Sequence, residues 1–289
     1  MSRQPILRAL FVLACTCTGL ATYAQEEGTG KPPFITTPAN VADRMLAIAG
    51  TGPEDLVVDL GSGDGRIVID AAVKYGARGI GLELDPKLVQ ISRDNALAAG
   101  VAGRTAFHEA DVLKADFSSA TVVTAYLLPW LLARLGNTFL NDLRPGTRIV
   151  THAFLLSGWP PDRTEKVIVT APDPKAGAET TIHMWTVPAQ ARGDWRATSN
   201  EGDWRLNVMQ NFQEIEITGT AQAQALRIEP TRMNGNRLAF SGRSQDGDML
   251  VRFTGRVESG RISGTATLER AGVARSLQLT FSKSGEASP

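Results

Sequence analysis

The 289-residue chain is short of cysteine, of histidine and of any excess of charge. It has two cysteines, three histidines, and 30 basic against 30 acidic side chains. Two cysteines build neither a zinc cluster nor a disulfide-dense scaffold. A formal charge of zero gives no broad basic field for nucleic acid and no acidic tail. His108, His152 and His183 match no metal spacing, so no metal is expected. At about 150 residues per domain the length suggests two domains.

Both cysteines, Cys15 and Cys17, lie in the opening segment. Arg3 and Arg8 precede a mostly apolar run from Ala9 to Ala21, and Thr22-Tyr23-Ala24 puts small residues around a cut before Gln25. This order reads as a secretory signal peptide over 1–24, which predicts export to the periplasm or the medium. The alternatives are an uncleaved membrane anchor and a lipoprotein modified at Cys15. The apolar run falls short of the roughly 20 residues that cross a bilayer, so no stable span is expected after cleavage. Cleavage removes two arginines and no acid, taking the formal charge from 0 to −2, and leaves no cysteine for thiol chemistry.

Residues 25–37 read as an extended lead-in, followed by a first domain over 38–192. Val41, Met45 and Ile48 space an amphipathic helix, and Leu56-Val57-Val58-Asp59-Leu60 a buried strand. A helix is expected over Arg66 to Tyr75, a strand over Gly79 to Leu84, and a helix from Pro86 to about Ala99 capped by Asp85. Further strands are expected over Thr105–Glu109, Thr121–Leu128 and Arg148–Phe154, with a helix from Trp130 to Leu143. Glu165–Thr170 and Thr180–Val187 lack a helix between them and read as a terminal antiparallel hairpin. Strand–helix alternation predicts a doubly wound α/β sheet. From Trp195 the pattern changes to short alternating runs with turns at Asn234-Gly235 and Asp246-Gly247, predicting a small antiparallel sandwich or partial barrel over 200–289. Gly-Asp-Trp-Arg occurs at 193–196 and again at 202–205, too few copies for a repeat array.

The most informative stretch is Asp59-Leu60-Gly61-Ser62-Gly63-Asp64-Gly65-Arg66, a strand entering closely spaced glycines and then a helix. Glycines let a ligand approach the backbone, and the helix start offers free N–H groups. The dinucleotide fingerprint needs glycine where Arg66 stands, and a phosphate-binding loop needs Gly-Lys-Ser/Thr, which is absent. A carboxylate before the loop repels a pyrophosphate but suits a ligand bearing an ammonium group.

These residues resemble motif I of the class I methyltransferases that use S-adenosyl-L-methionine, whose fold is a Rossmann-like seven-stranded sheet. The resemblance implies that Asp59, Gly61, Ser62, Gly63, Asp64 and Gly65 hold the cofactor, that Glu83 takes its ribose hydroxyls, and that Asp111 with Val112 meets its adenine. Gly81-Leu-Glu-Leu-Asp-Pro-Lys-Leu-Val89, Tyr126-Leu-Leu-Pro129, Pro145-Gly-Thr-Arg-Ile-Val-Thr-His152 and Gly158-Trp-Pro160 are most similar to one branch. That branch contains the mitochondrial lysine methyltransferases acting on the c-ring protein of ATP synthase, with their bacterial and archaeal relatives. It covers roughly residues 36–187.

From the branch follows a protein-lysine N-methyltransferase with a protein substrate. Tyr126, Leu127, Leu128, Pro129 and Trp130 are implied to line the methyl-facing end, with Tyr126 orienting the amine. The absence of an Asn/Asp-Pro-Pro-Tyr signature argues against nucleic-acid bases as acceptors. His152 is a candidate proton acceptor, and Trp159 reads as a packing anchor. Two other readings stay open: methylation of a small molecule or envelope component, and a non-catalytic module that binds the cofactor.

Overall fold

The computed structural model describes residues 34–284. The expected leader, residues 1–24, lies outside them. In chain order the first part comprises α1 (Ala39–Ile48), β1 (Leu56–Leu60), α2 (Arg66–Tyr75), β2 (Arg78–Glu83), α3 (Pro86–Ala98), β3 (Thr105–Glu109), β4 (Val122–Ala125), α4 (Pro129–Asn141), β5 (Arg148–His152), β6 (Arg163–Ile168) and β7 (Glu179–Thr186). The strands form one sheet in the order β3-β2-β1-β4-β5-β7-β6. Strands β1 to β5 are parallel, whereas β7 runs antiparallel to both β5 and β6. The terminal hairpin and the doubly wound α/β class therefore stand as expected.

Alternation along the strands builds two apolar layers. Val57, Val122 and Val150 pack against α1 and α2, while Val58, Val123 and Ile149 pack against Leu132, Leu135 and Phe139 of α4. Asp85 caps α3 by accepting the Lys87 N–H, with Pro86 at the first helical position.

Three expected ends shift by a few residues. The fourth strand stops at Ala125, not Leu128, because Tyr126-Leu127-Leu128 leave the sheet to enter α4, which starts at Pro129 rather than Trp130. The fifth stops at His152, not Phe154, because Ala153 turns to a φ of 66°.

The second part comprises β8 (Gly193–Ser199), β9 (Gly202–Asn211), β10 (Glu214–Ala221), β11 (Gln224–Ile228), β12 (Thr231–Arg232), β13 (Arg237–Ser244), β14 (Met249–Glu258), β15 (Arg261–Arg270) and β16 (Val273–Lys283). Their order is β11-β13-β14-β15-β16-β8-β9-β10-β12, and β10 also pairs with β11. That pairing joins the two ends of the sheet, so the expected sandwich or partial barrel is a closed barrel of eight strands flanked by the short β12. It begins at Gly193, so residues 193–199 supply its first strand. The repeated Gly-Asp-Trp-Arg segments fall on paired strands β8 and β9 and send Trp195 and Trp204 inward to meet Phe253 and Phe281. Eight strands enclose a space that side chains fill, and here they do.

The barrel meets the α/β sheet where β5 begins and β7 ends. Phe212 stacks on Trp159 with ring centroids 5.3 Å apart, the Gln213 side chain donates to the Thr186 carbonyl at 2.6 Å, and Arg232 pairs with Asp162 at 2.9 Å. Gly235 packs against Gly146 so closely that a Cβ there would lie 2.8 Å from the Gly146 Cα. This junction is at the opposite end of the parallel strands from the glycine loop.

Candidate functional site

The strand order reverses direction between β1 and β4, and a crevice opens beyond the C-terminal ends of strands at such a switch point. The loop that fills it is set by glycine. Gly61, Gly63 and Gly65 all have positive φ, and Gly65 is the N-cap of α2. At Gly65 a Cβ would lie 2.8 Å from both Phe107 and Ser92, and at Gly63 it would lie 2.3 Å from the ring of Phe34. The loop is tied back by Gly61 and Ser62 N–H bonds to the Leu82 carbonyl.

Asp59 is buried at the end of β1, where one carboxylate oxygen accepts the Thr124 hydroxyl at 2.7 Å. Burial pushes its pKa up to about 7, and the nearby Glu83 and Asp64 add to the shift. No cation pairs with it among the described residues. Glu83, at the end of β2, accepts the Gly63 N–H and the Asp85 N–H, each at 2.9 Å, and thereby fixes the glycine loop. Asp111 follows β3; its carboxylate accepts the Leu113 N–H at 3.0 Å, which with Lys114 at 3.3 Å holds its pKa below the usual range.

One cleft gathers Asp59, Gly61, Ser62, Gly63, Asp64 and Tyr126, together with Phe34, Ile35, Thr36, Thr37 and Arg66. Within it Ser62 turns its hydroxyl toward Gly81 of β2, leaving its backbone for a ligand. Asp64 spends its carboxylate on Arg66, at 2.6 to 2.9 Å. Glu83, Asp111 and Val112 do not line that cleft. Glu83 stands one strand away behind the loop, and Asp111 stands beyond it, since β3 pairs with β2. Val112 instead lines a separate cavity of about 420 Å³ with Lys114, Thr138 and Asp142.

Of the segment after β4, Tyr126 faces the cleft, Leu127 packs on Gly61, Leu128 is the N-cap residue of α4, and Pro129 and Trp130 stand on its first turn, with Trp130 exposed. The Tyr126 ring stacks on His152 with centroids 4.1 Å apart and on Phe154 at 6.3 Å. His152 is buried, its Nδ1 3.3 Å from the Thr37 hydroxyl and its Nε2 2.9 Å from that of Thr180. Burial, helped by the charge of Lys175, lowers its pKa to about 4, so the ring is neutral at pH 7. Trp159 is a core residue of the barrel junction, as its packing role requires.

Three contributors were not singled out from the sequence. Thr124 holds Asp59, Arg66 binds Asp64 and donates to the Thr37 carbonyl at 2.9 Å, and the strap Phe34–Thr37 crosses the glycine loop. Arg66 directly follows the last glycine, which was the one available signal. The strap is joined to His152 over 115 residues of sequence, beyond the reach of any local pattern.

The site fits the cofactor that motif I implies. A buried carboxylate without a cation complements a ligand carrying positive charge, and three glycines leave the backbone open to it.

Comparison with known proteins agrees. The model of the ANTKMT methyltransferase domain matches residues 59–163, from Asp59 past His152. A protein-lysine N-methyltransferase of Saccharolobus islandicus is 38% identical over 136 residues, 47% of this chain and 84% of that protein. The adenine nucleotide translocase lysine N-methyltransferase of Mus musculus is 35% identical over 130 residues, 45% of this chain and 56% of that protein. Mouse, frog and rat lysine N-methyltransferases of the ATP synthase c-ring protein are 39–40% identical to it. The chain thus spans about half the length of the vertebrate relatives it matches. An RNA methyltransferase from Salinibacter ruber, crystallised with S-adenosyl-L-homocysteine, is 46% identical, covering 54% of this chain and 95% of that one, with a TM-score of 0.49. With most of the archaeal enzyme's length matched and its cofactor motif carried by Asp59 and the glycine loop, this chain belongs to that family of S-adenosylmethionine-dependent methyltransferases.

Proposed function

We propose that the chain methylates lysine side chains of a protein substrate, after export by a leader cleaved behind Ala24. The observation that carries the acceptor is the end of β4, where Tyr126-Leu127-Leu128-Pro129 offers an aromatic face and apolar walls but no amide or acid to pair with a base edge. An amine suits such a wall, because a tyrosine ring both contacts its alkyl stem and attracts its charge.

Bound S-adenosylmethionine supplies an electrophilic methyl on a positively charged sulfur. The lone pair of the neutral amine forms the N–C bond as the C–S bond breaks and its electron pair stays on sulfur; the nitrogen then sheds a proton to solvent. Asp59 balances the positive charge of the cofactor, and Glu83 and the glycine loop orient it.

His152 holds the Tyr126 ring in place, because both of its nitrogens face threonine hydroxyls and its pKa is about 4. Lysine deprotonation then falls to desolvation in the crevice. Bringing a pKa of about 10.4 to about 7 takes roughly 4–5 kcal/mol.

The test incubates the purified protein with cofactor and candidate proteins and maps modifications by mass spectrometry. Lysines gaining methyl groups are expected; methylation confined to other acceptors would overturn the reading. N-terminal sequencing of the native protein is expected to begin at Gln25, and an intact Met1 in the cytosol would overturn the export.

A further inference from the structure

Exposed apolar side chains are concentrated at the mouth of the crevice. Among the described residues eleven large ones are exposed, and five of them, Phe34, Ile35, Leu84, Trp130 and Leu155, stand on segments at the C-terminal edge of the seven-stranded sheet. The other six are dispersed over α2, α3, β6, β9 and β16. Scattered apolar residues need no explanation, but a cluster beside a reactive site marks a binding surface.

Two members of the cluster stand beside Tyr126. Trp130, 39% exposed, lies four residues beyond it on the first turn of α4. Leu155, 53% exposed, follows Phe154, whose ring stacks on that of Tyr126. They leave adjacent strands, since Ala125 of β4 is in register with Thr151 of β5. Phe34, 52% exposed, continues the apolar surface over Gly63. The charged side chains that line the cleft are already committed: Asp59 is buried, and Asp64 and Arg66 bind each other. The mouth therefore has apolar surface to offer a substrate and no free charge in its lining with which to select charged flanks.

We infer that Trp130 and Leu155 determine specificity by seating apolar residues on either side of the acceptor lysine, so that the preferred substrate is a lysine set in an apolar stretch of polypeptide. This deepens the lysine reading and rests on it. The reacting amine must be neutral, and apolar flanks that displace water from the mouth favour its neutral form, whereas charged flanks carry their hydration with them. The same residues therefore bind the segment and prepare the nucleophile.

The experiment uses the full chain, S-adenosylmethionine and peptides with one central lysine flanked by Leu/Phe, Ser/Gly, Glu or Arg. Apolar flanks are expected to raise kcat/KM by about ten-fold or more over the others, the scale that a few seated methylene groups provide. Joint replacement Trp130→Ala and Leu155→Ser is expected to remove this preference, with the loss falling on KM more than on kcat. Calorimetry with S-adenosyl-L-homocysteine then reports whether the cofactor site is intact. Equal kcat/KM across the four flanks, a preference that survives the double replacement, or a loss that tracks cofactor affinity would each overturn the inference. Turnover with equal flanks leaves the lysine reading standing, whereas turnover on no lysine peptide overturns that reading and the flank preference with it.

Discussion

The two sheets of this chain differ in how they finish. The barrel closes on itself, and its interior is packed by Trp195, Trp204, Phe253 and Phe281, with strands that turn polar residues out and apolar residues in. The seven-stranded sheet stays open at the ends of its parallel strands. There it keeps a buried carboxylate with a raised pKa, a neutral histidine, and a loop of left-handed glycines. Groups that would destabilise a closed core are gathered where a charged ligand can satisfy them. Such a division predicts that damage to the barrel registers as stability and damage to the open edge as binding.

The largest effect expected is at Trp204, fully buried in the barrel. Trp204→Ala should cost about 3–5 kcal/mol of folding stability, seen in denaturant unfolding, while the folded fraction binds cofactor with unchanged affinity. A large loss of affinity would break the comparison by coupling barrel to crevice. Asp59→Asn should do the reverse. It retains a partner for Thr124 but removes the charge, weakening cofactor binding by about 2–5 kcal/mol, the range for truncating one side of a buried charge pair, with little loss of stability. Calorimetric affinity within a factor of two of the parent would remove Asp59 from the site.

The same residues indicate what was legible in the sequence. Both ends of α2 were readable, because Gly65 and Gly76 flank it with conformations that glycine favours. The three acids at strand ends were readable because each follows an apolar run. The end of β5 was not, because the left-handed turn falls on Ala153, a residue with no preference for it. Barrel closure was equally hidden, since it depends on Ser282 meeting Arg196 and on β10 meeting β11, pairings that no single strand encodes. The strap over the glycine loop is a tertiary contact, whereas the loop itself is a local one.

A smaller effect sharpens the electrostatics of the open edge. The Asp59 carboxyl titrates at about 7 in the fold, against an ordinary value of 3.8. Binding a positively charged cofactor requires it ionised, so affinity should rise with pH and level off above about 7. Below that, each pH unit costs up to about ten-fold in affinity. Calorimetry at pH 6 in buffers of different ionisation enthalpy should detect proton release, and Asp59→Asn should abolish it. A flat profile in the parent would contradict the buried carboxylate. Folding stability follows a different course. Between 3.8 and about 7 the folded chain holds the extra proton on Asp59, so that residue's contribution is lost as pH rises through 7. His152, at about 4 against 6.5, contributes above 6.5 and loses its contribution as pH falls toward 4. The two slopes oppose each other in the acid range, which is why binding reports Asp59 more cleanly than melting does.

The smallest effect concerns the junction. Arg232 is about half exposed and pairs with Asp162 and Glu214, while Asp162 also accepts the Thr186 N–H. Arg232→Ala leaves Asp162 with that backbone partner, so the loss should be within about 1 kcal/mol and should shrink at high salt. The apolar part of the junction, Phe212 on Trp159, does not depend on salt and keeps the two sheets unfolding in one transition. Calorimetric melting of the variant at low and high salt separates the possibilities. Two resolved transitions would show that the ion pair, and not the stacked rings, joins the sheets, and the barrel would then have to be treated as a body whose attachment is set by ionic strength.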